Sequence, residues 1–210
     1  MKKLSPFKAA LRYDAWKILA VFGVSSAGLA FAFSTKDRFK DHEILDVYVT
    51  GSSLDSSFAK SWFESVPNSK IQTVHFTFHT PKEEQYAIVT STMLSSVSDL
   101  YILPSSQLET HPEYAMYSQA LKEEELSRIS QVSSQSQFYA DASGTKRGVL
   151  LYDKEKETPY SAMISKWFNL EETSYLSVSN VSTNREDASI AGEPLLFEYF
   201  VSFLEMASRK

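Results

Sequence analysis

Hydroxyls and glycine gather at three points in the first half of this chain: Thr50-Gly51-Ser52-Ser53, His79-Thr80, and Ser105-Ser106 after Pro104. Each follows an apolar run and opens a more mixed stretch. The chemistry offered is binding. Hydroxyls beside the free N–H groups of a helix N-terminus can hold an anion or a small polar ligand. The plainer reading is that Ser52, Thr80 and Ser106 cap helices, as Ser and Thr commonly do. Asp55, Glu83 and Glu109 stand three residues on, where a capping box places its carboxylate.

Other constellations are missing from the sequence. It contains no G-x-S-x-G, no dinucleotide fingerprint, no P-loop and no H-E-x-x-H. Gly144-Thr145-Lys146 lacks the earlier glycine and the strand that a P-loop needs. His75 and His79 are four apart, but their alternation with Val74, Phe76 and Phe78 puts them on a strand. There they stand about 13 Å apart, beyond the reach of one ion. His42 and His111 stand alone and read as surface residues, and Tyr160 and Trp167 read as core before they read as a ligand wall. No catalytic residue, metal or cofactor is expected. The absence of cysteine excludes disulfides, thiolate sites and thiol catalysis.

The elements that must position these residues follow from periodicity. Ile44 to Thr50 is apolar on both faces, the condition of a strand covered on both sides. Gly51 then allows a sharp turn. Val74 to Phe78 alternates, and Asp99 to Leu103 is a nearly continuous apolar run ended by Pro104. Leu54, Phe58, Trp62 and Val66 recur as a helical stripe after the first strand. Tyr86, Val89, Met93 and Val97, widened by Ala87 and Leu94, do so after the second. Strand, cap and helix three times over predict an α/β domain of three layers, its sheet mostly parallel with crossover helices. Further on, Gly148 to Tyr152 and Tyr175 to Ser179 read as strands, Tyr114 to Ile129 can form a helix with Lys122 to Glu125 as a solvated face, and Pro159 opens a short helix. A closing helix starts at Gly192-Glu193-Pro194 and carries Leu196, Phe200, Phe203 and Leu204. The stretch from Leu108 to Gly144 is the least regular.

The 210 residues allow a membrane segment and one ordinary domain. Trp16 to Phe33 is the most apolar stretch, about 27 Å long as a helix. Lys2, Lys3, Lys8, Arg12 and Lys17 flank it on the N-terminal side against Asp14 alone, which predicts a single-pass anchor with a cytoplasmic N-terminus. Ala30-Phe31-Ala32 also fits a signal-peptidase site, with cleavage after Ala32. Residues 1–35 are thus read as basic stub and anchor, 36–43 as linker and 44–210 as an extracytoplasmic domain. Setting aside those five cations and Asp14 leaves 16 basic and 25 acidic residues. So acidic a body is a poor match for nucleic acid.

The order of elements resembles bacterial extracellular solute-binding proteins. ILDVYVTGSS, IQTVHFTFHT and SDLYILPSSQL look like the start of one lobe, and RGVLLYD, YLSVSNVSTN and FEYFVSFLEMA like the return to it. The resemblance implies a non-enzymatic binding or accessory component at the bacterial envelope, beside an ABC transporter permease or another membrane complex. The strand ends, not the resemblance, give Gly51, Ser52, Ser53, His79, Thr80, Ser105 and Ser106 as the residues expected to hold a small polar ligand. Such proteins insert a second lobe where this chain has only residues 104–147, so it is similar to a single tethered lobe. The alternative expectation is a structural subunit that docks a partner membrane protein.

Overall fold

The computed structural model describes residues 43–55, 57–66, 71–182, 184 and 196–209. The expected anchor Trp16–Phe33, the linker up to His42, and Gly192 to Pro194 lie outside them. Among the described residues no helix is long and apolar enough to cross a membrane.

The centre of the fold is β1 (Ile44–Thr50). Leu45, Val47 and Val49 enter the larger core while Tyr48 enters a smaller one on the opposite face of the sheet, so both faces are covered. β3 (Thr73–His79) lies parallel on one side, with Thr50 opposite His79. β4 (Leu100–Pro104) lies parallel on the other, with Val49 opposite Ile102. The three carboxyl ends therefore emerge on one rim.

Beyond β4 the sheet changes character. β8 (Ser174–Val178) runs antiparallel to β4, β6 (Lys146–Tyr152) antiparallel to β8, and β5 (Phe138–Ala140) antiparallel to β6. The six-stranded order is β3-β1-β4-β8-β6-β5. The sheet is mixed, which corrects the expectation of a mostly parallel one. Two parallel pairs face three antiparallel ones.

Helices cover both faces. On the larger core lie α1 (Ser57–Ser65), α4 (Glu123–Val132), α5 (Ser161–Trp167) and α6 (Leu196–Ala207). On the smaller lie α2 (Tyr86–Ser96), α3 (Ser105–Thr110) and a 3₁₀ turn at Pro112–Tyr117. Residues 104–147 thus add helices and β5 to the same body, with Leu108 and Tyr114 in one core and Leu121 and Ile129 in the other.

Aromatic interlock holds α1, α5 and α6 together. Phe58 stacks on Trp167 at 4.4 Å and meets Phe168 edge-on at 5.2 Å, while Trp62 meets Phe203 edge-on at 5.1 Å. The Trp62 indole N–H donates to the Tyr199 carbonyl at 3.1 Å, so its buried polar atom is satisfied. Each such side chain contributes about 1.5–3 kcal/mol by burial. Exposed pairs such as Lys60–Glu64 add at most about 1 kcal/mol. Burial decides the stability of this layer.

Three local expectations are corrected. Leu54 lies outside α1 and is 61% exposed. In α2 the buried face is Tyr86, Thr90 and Leu94, while Val97 is exposed, because the Tyr48 hydroxyl bonds Thr90 Oγ1 at 2.6 Å and draws that side inward. The span Tyr114–Ile129 is broken into the 3₁₀ turn and α4. Glu125 there is buried, its carboxylate accepting the Lys122 N–H at 2.7 Å, rather than solvated.

Candidate functional site

Two concavities among the described residues lie on the rim formed by the carboxyl ends of β3, β1, β4 and β6. The first lies where β1 ends, at the strand from which one crossover leads to β3 and the next passes over to β4. Open α/β sheets take ligands at such a reversal. Thr50, Gly51, Ser52, Thr80, Pro81, Pro104, Asn169, Glu171, Glu172 and Ser174 line it. Three of the seven residues singled out from sequence meet here: Gly51, Ser52 and Thr80.

The other four do not line it. Ser53 pairs with Phe168 in the two-stranded sheet of β2 (Ser52–Ser53) and β7 (Phe168–Asn169). His79 turns to Glu83, with Nδ1 and Oε2 2.5 Å apart, and stacks against Tyr48. Ser105 and Ser106 are the first two residues of α3.

The helix amides that were to hold an anion are already engaged. The Thr80 N–H donates to Glu83 Oε1 at 2.8 Å, and the Ser105 N–H to the Thr173 carbonyl at 2.8 Å. The Ser57 N–H at the start of α1 donates to Asp55 Oδ1 at 2.8 Å, so Asp55 caps that helix and Ser52 does not. Thr80 and Glu83 form half of the expected box, but α2 begins only at Tyr86. Ser106 caps nothing; Pro104 holds the N-cap position without a side-chain bond.

Size and charge then decide what the crevice can do. Its volume is about 30 Å³. That suits one or two water molecules, where a small-molecule site takes roughly 300–1,000 Å³. Glu171 and Glu172 make it unfavourable to an anion, although Lys82 offsets Glu171 at 3.0 Å. Thr50 Oγ1 is spent on the Tyr86 hydroxyl at 2.9 Å, and burial pushes that phenol up. The crevice is a structural joint with a polar floor.

The second concavity, at the carboxyl end of β6, is a cleft of about 680 Å³. Asp153 to Pro159 form one wall, α5 supplies Ser161, Ala162 and Ser165, and Arg209 stands at the margin. The loop is shaped locally. Asp153 Oδ1 accepts the Glu155 N–H at 2.9 Å, and the Thr158 hydroxyl donates to the Leu151 carbonyl at 2.6 Å. Three carboxylates (Asp153, Glu155, Glu157) and three cations (Lys154, Lys156, Arg209) line the cleft, and Lys154 to Glu157 and Arg209 are exposed. The sequence signal for this cleft was the alternating charge from Asp153 to Glu157, which reads on its own only as the end of a strand. Tyr160 and Trp167 are buried in the core and wall neither concavity. The cleft can match a partner surface of mixed charge.

Among the described residues no group of three or more His, Asp or Glu side chains could hold a metal ion. No protein-family model, no curated protein and no solved structure matches this chain.

Proposed function

We propose that this chain is a non-enzymatic interaction domain, tethered to the bacterial cell membrane by Trp16–Phe33 and facing outward, whose partner is a protein of a membrane complex. One observation carries this reading. The large concavity of the rim is a cleft of about 680 Å³ walled by exposed charges of both signs, the kind of surface that steers and registers a protein partner. A second reading is favoured by the crossover reversal beside β1: a solute-binding-like accessory domain of an ABC transporter. The crevice of about 30 Å³ at that reversal weighs against it.

The test is site-specific photo-cross-linking of the full chain in intact cells, from Lys156 in the cleft and from Lys60 on α1 as control. The interaction reading expects a discrete membrane-protein adduct from position 156, absent from position 60 and lost in a Lys154→Glu/Arg209→Glu background. No adduct from 156, together with thermal stabilisation of the full chain by millimolar amino acids or sugars, would replace it with the solute reading.

A further inference from the structure

Opposite the rim that carries both concavities, one carboxyl group stitches three segments together. Asp99 precedes β4 and is 3% exposed. Its Oδ2 accepts the Asp46 N–H of β1 at 2.8 Å and the Asn184 Nδ2–H at 3.0 Å, and its Oδ1 accepts the Ser182 hydroxyl. Its main chain binds as well: the Asp99 N–H donates to the Asp46 carbonyl, and the Ser179 N–H donates to the Asp99 carbonyl, both at 2.8 Å. Asn184 reaches past it to the Ile44 carbonyl at 2.9 Å, and the Asn184 N–H donates to Ser182 Oγ at 2.9 Å. The stretch after β8 is thereby fastened to the amino-terminal ends of β1 and β4.

We propose that Asp99 is a proton-linked latch, holding Ser182 and Asn184 against the sheet more tightly in acid than at neutral pH. The carboxyl is buried, and among the described residues no lysine or arginine ion-pairs with it. Among the described residues the charged groups that face it do not compensate for ionisation. Asp46, on β1, repels it. His75, on β3, lies 3.7 Å from Asp46 Oδ1 and is half-exposed. From the other side Ser179, Ser182 and Asn184 bring a main-chain amide, a hydroxyl and a side-chain amide, none of them charged.

The neutral acid fits without losing a bond. A proton on Oδ1 donates to Ser182 Oγ, whose hydroxyl turns away, while Oδ2 keeps both of its donors. Three donors favour the anion, but burial outweighs them and pushes the group up to about 6 from 3.8. Release of Ser182 and Asn184 would return Asp99 to water and to its ordinary value. The sign follows. The latched state binds the proton more tightly, so latching is strongest below the ordinary aspartate range and weakens as pH rises through about 6.

Hydrogen exchange of the full chain, corrected for intrinsic rates, tests this at the amides of Ser179 to Ser182 and of Asn184. Their opening is expected to be about tenfold more frequent at pH 8 than at pH 5, and Asp99→Asn, which mimics the neutral acid, should show no such change. Protection independent of pH, or the same dependence retained in Asp99→Asn, overturns the latch. Should Asp99→Asn fail to fold, the ¹³C chemical shift of the Asp99 carboxyl in the unaltered chain decides. A midpoint near 6 supports the proposal, and one near 4 or below overturns it.

Discussion

Gly51 ends β1 with φ +153°, and a Cβ built there would meet the Asn169 carbonyl oxygen at 2.8 Å and Leu170 Cδ2 at 3.0 Å. Two other glycines separate these two burdens. Gly144 has φ +80° but nothing within 4 Å, so Gly144→Ala carries backbone strain alone, about 1 kcal/mol. At Gly148, whose φ is not positive, a Cβ would meet Ser177 Oγ at 2.5 Å and the Leu176 carbonyl at 3.0 Å, so Gly148→Ala carries crowding alone, about 1–3 kcal/mol. Gly51→Ala combines strain of about 1–3 kcal/mol with a clash against main chain that cannot rotate away, for a loss of about 3–5 kcal/mol. Urea denaturation of the three variants, read as midpoint shifts at constant m, gives the comparison. The expected order is Gly51→Ala worst and Gly144→Ala mildest. A Gly51→Ala midpoint no lower than that of Gly144→Ala would refute the claim that the end of β1 and the end of β7 meet through a gap only hydrogen can fill.

The other expectations concern the aromatic layer and a surface turn. Phe203, 1% exposed and in ring contact with Phe58, Trp62, Trp167 and Phe168, should cost about 3–5 kcal/mol as Phe203→Ala in the same denaturation assay. The Ser143 hydroxyl and the Arg147 guanidinium, donating at 2.5 Å each, hold the Asp141 carboxyl well below the usual carboxylate range. Its stabilising contribution is therefore present above the ordinary aspartate value and lost as pH falls through the depressed one. Asp141→Asn should lower the melting temperature at pH 7 and narrow its gap to the unaltered chain in strong acid, as calorimetry would show.

How far residues foretell this fold is clearest in β1. Its two apolar faces demand cover on both sides, and the structure supplies a core on each. The alternation of β3 and the apolar run of β4 are equally plain, so the shared rim was legible. Strand direction beyond β4 was not. Tyr175 to Ser179 alternates identically read either way, and periodicity carries no arrow. Caps failed for a related reason. Ser52 and Asp55 fit a box within four residues, but Ser52 pairs instead with Asn169, more than a hundred residues away. Nothing in hydrophobicity marks Thr90 for burial, because its partner is a tyrosine hydroxyl from another element. At the site, polar residue types led to the rim, yet whether their amides stayed free depended on distant carbonyls such as that of Thr173. The larger cleft arises where a loop, α5 and the end of the chain converge, and no single window of sequence spans all three.

The position of β8 bears on how the chain comes to be assembled. Among the described residues it is the last strand in sequence, yet it sits inside the sheet, between β4 and β6. As the polypeptide grows from its N-terminus, the side of β4 that will receive β8 stays bare while the next seventy or so residues are added; Leu100 to Leu103 end at 1% exposure or less. Closure is thus a long-range, late event, which slows folding and leaves two unpaired margins open to stray association in the meantime. A ribosome that stalls before Ser174 would release two half-sheets with nothing to join them.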